Sequence, residues 1–287
     1  FLMVLAVAMP LLAACNKTSG TDSQATSSQV GDDTYANLQD AIDAANGGTV
    51  VLLDNVTLNE GITVALGTTV TLDLGGYELS FVPTEAASFA GILNYGTLTV
   101  KDSSTAKSGA IVLNYNLAGS TSYAANTITN CGTLYIEGGA IKNVSTASYQ
   151  IGYAIDNNST VYNAILVISG GTVSVSGSVY YDGIRMFCNS TTNKNSVTVT
   201  GGEVSSIWLQ NPSDGTDSKN TLDVLGSVTV SGGKVGALYL EPSTEVDAAV
   251  SGGFIGTLAY HQTDAGRDAT GFVTGGTFGS DVSDFCA

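Results

Sequence analysis

Apolar and polar residues alternate along most of the chain, and the alternation returns at regular intervals. Six times an apolar residue, a polar residue and two glycines are followed by any residue and then by another apolar one. The glycine pairs are Gly138-Gly139, Gly170-Gly171, Gly201-Gly202, Gly232-Gly233, Gly252-Gly253 and Gly275-Gly276, at steps of 32, 31, 31, 20 and 23 residues. Two residues before each pair stand Ile136, Ile168, Val199, Val230, Val250 and Val273. Three residues after each first glycine stand Ile141, Val173, Val204, Val235, Ile255 and Phe278. Immediately before the pairs come the polar residues Glu137, Ser169, Thr200, Ser231, Ser251 and Thr274. Period-two alternation puts the apolar residues on one face of a strand, and the glycines supply the backbone angles of a tight corner. A recurrence every 20–30 residues or so marks stacked repeats, each too small to bury its apolar face alone. The predicted fold is therefore all-β: a single-stranded right-handed parallel β-helix. A sandwich or propeller would need hairpin turns of the Asn-Gly or Asp-Gly kind, and these are few.

A second strand set lies between the glycine phrases. Ile155-Asp156, Ile184-Arg185, Ile207-Trp208, Leu238-Tyr239 and Leu258-Ala259 line up repeat by repeat. Earlier in the chain Asn94-Tyr95-Gly96-Thr97-Leu98 recurs as Asn130-Cys131-Gly132-Thr133-Leu134, with Asn157-Asn158 as a degenerate third copy. Stacked repeats would bring these asparagines over one another, in position to hydrogen-bond along the stack.

The ends read differently. Residues 1–14 are apolar or small throughout. They are too short to span a bilayer and resemble the hydrophobic core of a secretory signal lacking its charged start. Leu12-Ala13-Ala14-Cys15 resembles the lipobox of bacterial lipoproteins, which implies cleavage before Cys15, lipid on its thiol and a membrane tether outside the cell. Residues 15–33 are Ser-, Thr-, Gln- and Asp-rich and read as a flexible tether. Over residues 34–46, Tyr35, Leu38, Ala41, Ile42 and Ala45 share one helical face, with Thr34 as N-cap. This predicts a short helix covering the open end of the first repeat. Residues 47–287 form the repeat body, and no C-terminal cap is evident, which leaves truncation there open.

The opening of the body, Gly47-Gly48-Thr49-Val50-Val51-Leu52-Leu53 with the following short strands, and the glycine phrases together resemble pectate-lyase-like β-helix proteins of bacterial surfaces across most of residues 35–281. That resemblance implies the fold. It implies no single function, because such folds serve lyases, hydrolases, tailspikes and adhesins.

Charge narrows the partners. With 25 acidic and 9 basic residues the net charge is −16, which repels DNA and RNA. Calcium on clustered carboxylates is a conceivable cofactor, but neither Asp32-Asp33 nor the loop holding Asp214 and Asp217 forms a recognised binding loop. With Cys15 assigned to lipid, Cys131, Cys188 and Cys286 leave an odd thiol. Cys131 and Cys188 read as small hydrophobes.

Catalytic candidates are sparse. His261 is the only histidine, which argues against a triad. Lyases of the resembled class use Ca²⁺ and a Lys or Arg base. Arg185, Asp182 and Asp156 are the residues that could serve, yet no third acidic residue falls beside them. A binding strip is better supported. If Ile184, Ile207 and Leu238 point inward, then Arg185, Trp208 and Tyr239 point outward, with Phe187, Gln210, Glu241 and His261 in the next outward column. Aromatic faces stack on the apolar faces of sugars, and the polar groups bind hydroxyls. The expected function is carbohydrate or host-ligand binding at a bacterial surface, without catalysis. A polysaccharide lyase or hydrolase, or a structural spacer, are the alternatives.

Overall fold

The computed structural model describes residues 26–117, 123–146, 152–176, 183–187, 190, 192–210, 226–240, 246–260 and 271–286. They form one large, mostly parallel sheet system, consistent with an all-β solenoid. Nearly every strand pairs in parallel with the strand one repeat later, and the register sorts the core into three columns. The first runs Val50, Leu72, Val100, Ile136, Ile168, Val199, Val230, Val250 and Val273. The second runs Val56, Leu79, Ile111, Ile141, Val173, Val204, Val235, Ile255 and Phe278. The third runs Ile62, Ile92, Ile128, Ile155, Ile184, Ile207, Leu238 and Leu258. All but Phe278, which is partly buried, belong to the buried core. Like thus packs over like, and each repeat completes the core of its neighbours.

The glycine pairs are needed for two reasons. At Gly201 an added Cβ would collide with the carbonyl oxygen of Ser169 one repeat back. Gly202 sits at φ +75°, the left-handed region that side chains resist, and a Cβ there would come 2.7 Å from the Gly171 oxygen.

The predicted asparagine stack is present and buried. Asn94 Nδ2 donates to Asn130 Oδ1 at 2.7 Å, and Asn130 Nδ2 donates to Asn157 Oδ1 at 2.7 Å. Each amide also reaches a carbonyl at the corner of the next repeat: Thr133, Ile165 and Ser196 respectively. The ladder stops where register places Met186 over Asn157.

The amino-terminal end departs from the sequence reading. The stretch read as tether ends in structure: Ser28–Val30 and Asp33–Tyr35 form a hairpin about Gly31-Asp32, and Ser28–Val30 pairs antiparallel with Thr49–Leu52. The helix is Leu38–Ala44, capped by Asn37, whose Oδ1 accepts from the Gln39 and Asp40 amides. Thr34 and Tyr35 are in the hairpin instead. Gln39 then imitates a neighbouring strand. Its Oε1 accepts from Thr63 N at 2.8 Å and its Nε2 donates to Thr63 O at 2.9 Å. The hairpin and the helix thereby satisfy edges that would otherwise be open to another chain. At the other end, the short 3₁₀ turn Ser283–Phe285 lays Phe285 against Phe272 at 5.5 Å between ring centroids.

Candidate functional site

The third column fixes the candidate site. Its register places Asp156, Arg185, Trp208, Tyr239 and Ala259 one over the next, each following an inward Ile or Leu. A one-residue slip would have exchanged this set for the core set, so the burial of Ile184, Ile207 and Leu238 is what turns Arg185, Trp208 and Tyr239 outward.

Arg185 is the best-anchored of these. Its Nε and Nη2 meet Asp156 Oδ1 and Oδ2 at 2.8 and 2.7 Å, a two-pronged pair. Nη1 reaches Gln210 Oε1 at 3.4 Å. The guanidinium carbon lies 4.6 Å from the centre of the Tyr153 ring and 5.1 Å from that of Phe187, a distance at which an aromatic face attracts a cation. Burial alone would lower the pKa of this guanidinium, but the bonds and charge of Asp156 outweigh it, and the net shift is upward. Asp156 is in turn held by Asn126 Nδ2 at 3.3 Å, and Asn126 Oδ1 accepts from Tyr153 N. A protonated arginine clamped in this way is a poor general base.

Trp208 is less open than the alternation alone implies. It is half-buried, its ring 6.5 Å from the nearly buried Tyr153 at an interplanar angle of 49°. Tyr239, next in register, is half-buried as well. Tyr153, from the segment just before Ile155, packs its ring against both Arg185 and Trp208. Sequence reasoning missed Tyr153 and Asn126. Gln210, read from the alternation as outward in one column with Phe187, is paired with Phe187 by the strand register. Asp182, Glu241, His261, Cys15 and Cys188 lie outside the described residues.

Among the described residues no group of three His, Cys, Asp or Glu side chains could hold a metal. Cys131 and Cys286 are free thiols. Cys131 Sγ donates to Asn158 O at 3.1 Å, and burial, with the Asp156 charge, raises its pKa. No helix among the described residues is long and apolar enough to cross a membrane. Comparison with protein-family models, with curated proteins and with solved structures returned no match.

Proposed function

We propose that this chain is a bacterial surface lipoprotein, anchored through lipid on Cys15, whose right-handed parallel β-helix binds carbohydrate or a host surface ligand without catalysis. The observation that supports it is the register Arg185–Trp208–Tyr239 on one face, with Arg185 fixed by Asp156. The two aromatic side chains offer stacking surface, and the outer guanidinium N–H groups and the Gln210 amide offer partners for hydroxyls. The pair with Asp156 favours binding over proton abstraction, because it stabilises the charged form of the residue a lyase would use as base. The net charge of −16 disfavours a nucleic-acid partner.

The test is retention of the purified chain on insoluble polysaccharides, comparing wild type with Trp208→Ala and Tyr239→Ala. Retention by the wild type and its loss in both variants is expected. Equal retention by all three would overturn the assignment of the strip.

A further inference from the structure

A second surface, on earlier repeats, has the features of a ligand site and is independent of the Trp208 strip. The corner between the third and first columns carries two adjoining grooves of about 260 and 390 Å³. Both are walled by Tyr95 and Tyr162, which are 38% and 43% exposed. Among the described residues few large apolar side chains are as exposed, and Leu66 and Val161, also exposed, line the same grooves. Neither phenol hydroxyl hydrogen-bonds to another described residue.

Three further features define what would fit. The floor of the smaller groove is backbone: Gly96 and Gly132 lie against the carbonyls of the preceding repeat, where a side chain would collide with Thr68 O or Gly96 O. These glycines are fixed by the close stacking of the repeats, and they add no side chain to the floor. The remaining lining is hydroxyl, amide and apolar, including Thr68, Thr97, Asn163 and Ser159. No charged side chain lines either groove, although the chain carries 25 acidic residues. The backbones of Tyr95 and Tyr162 belong to repeats two apart, with Cys131 and Gly132 between. At the usual strand spacing that is about 10 Å, the reach of a disaccharide.

Aromatic walls, hydroxyl and amide partners, and no charge define a site for a neutral sugar. A uronate or sialic acid would bring a carboxylate to a surface with no cation to receive it, inside a strongly negative field. We propose that the Tyr95–Tyr162 corner binds a neutral oligosaccharide of hexose or N-acetylhexosamine units, stacking every second ring on the two tyrosines.

The experiment is a binding titration of the purified chain against cellohexaose, maltohexaose, mannohexaose and chitohexaose, with hexagalacturonate as the charged counterpart. Variants would be Tyr95→Ala, Tyr162→Ala, Tyr162→Phe and Trp208→Ala. At least one neutral sugar is expected to bind more tightly than hexagalacturonate. Each tyrosine-to-alanine change should weaken it about tenfold, the loss of one stacking contact. Tyr162→Phe should keep most of the affinity, and the tyrosine-dependent part of the binding should persist in Trp208→Ala, whatever the strip itself contributes. The site is wrong if no neutral sugar binds, if hexagalacturonate binds as tightly, or if the alanine variants bind as wild type. Loss on Trp208→Ala alone would assign the sugar to the Arg185 strip, whereas retention there with loss at the tyrosines would uphold the corner even if the strip binds nothing.

Discussion

Replacing Arg185 with methionine would leave the Asp156 carboxylate stranded. The Asp156 side chain is 5% exposed and that of Arg185 18%. After the substitution the carboxylate would keep, among the described residues, only the Asn126 amide at 3.3 Å. Removing one partner of a buried pair costs about 3–5 kcal/mol, because the remaining charge is neither solvated nor paired. The opposite change, Asp156→Ala, should cost less, about 1–3 kcal/mol. Arg185 is the more exposed partner, and its guanidinium would keep the faces of Tyr153 and Phe187. The double variant removes both charges. It should be more stable than Arg185→Met alone, with a coupling of about 2–3 kcal/mol. Urea unfolding followed by the fluorescence of Trp208, the only tryptophan, reads the ranking beside the altered pair. The slope against denaturant should stay constant across the set if the folded and unfolded states are otherwise alike. Two results would refute the reasoning: Asp156→Ala as the more damaging single change, or a double variant as unstable as the two singles added together.

Further tests follow from the core and the corners. Asn130→Ala should cost about 3–4 kcal/mol, since it orphans Asn157 Oδ1 and breaks both rungs of the ladder. Asn94→Ala should cost about 1–2 kcal/mol, because Asn94 Oδ1 has no partner to lose; chemical denaturation of both variants checks the order. Gly202→Ala should destabilise by more than about 2 kcal/mol through left-handed strain and the clash with the Gly171 carbonyl, read as a lowered Tm. Asp102 supplies a pH test. Burial pushes its pKa up, but hydrogen bonds from Ser104 and Gly109 outweigh this and hold it below 3.8. Its folded pKa is thus depressed, so its stabilisation is present at neutral pH and lost as pH falls below about 4 through the folded value. Asp102→Asn should flatten that acid limb in a stability-against-pH profile.

The repeat register was legible because each position carries the same kind of residue in every repeat. Aligning Ile155-Asp156 with Ile184-Arg185 and Ile207-Trp208 placed Asp156 beside Arg185, as the strand pairing does. The Asn94, Asn130 and Asn157 ladder was readable for the same reason. The hairpin at residues 28–35 was missed because its strands are short and polar. Its signal was the Gly31-Asp32 pair, a two-residue turn with glycine at φ +58°. The helix start was placed early because Thr34 and Asn37 both qualify as caps, and only pairing of Asp33–Tyr35 with Ser28–Val30 decides between them. Tyr153 escaped because it lies ahead of the strand and acts across three repeats, and alternation within a strand says nothing of such contacts. The Tyr95–Tyr162 corner escaped because Tyr162 belongs to an irregular loop that breaks the third copy of the asparagine phrase.

The central claim, binding without cleavage, is most directly tested by incubating the purified chain with acidic and neutral polysaccharides, with and without Ca²⁺. Mass spectrometry of the soluble sugars would be read beside the fraction of protein retained. The account predicts retention with no new sugar products in either condition. Unsaturated uronate fragments that require Ca²⁺, and that vanish in Arg185→Met, would contradict it and make Arg185 the base of a lyase.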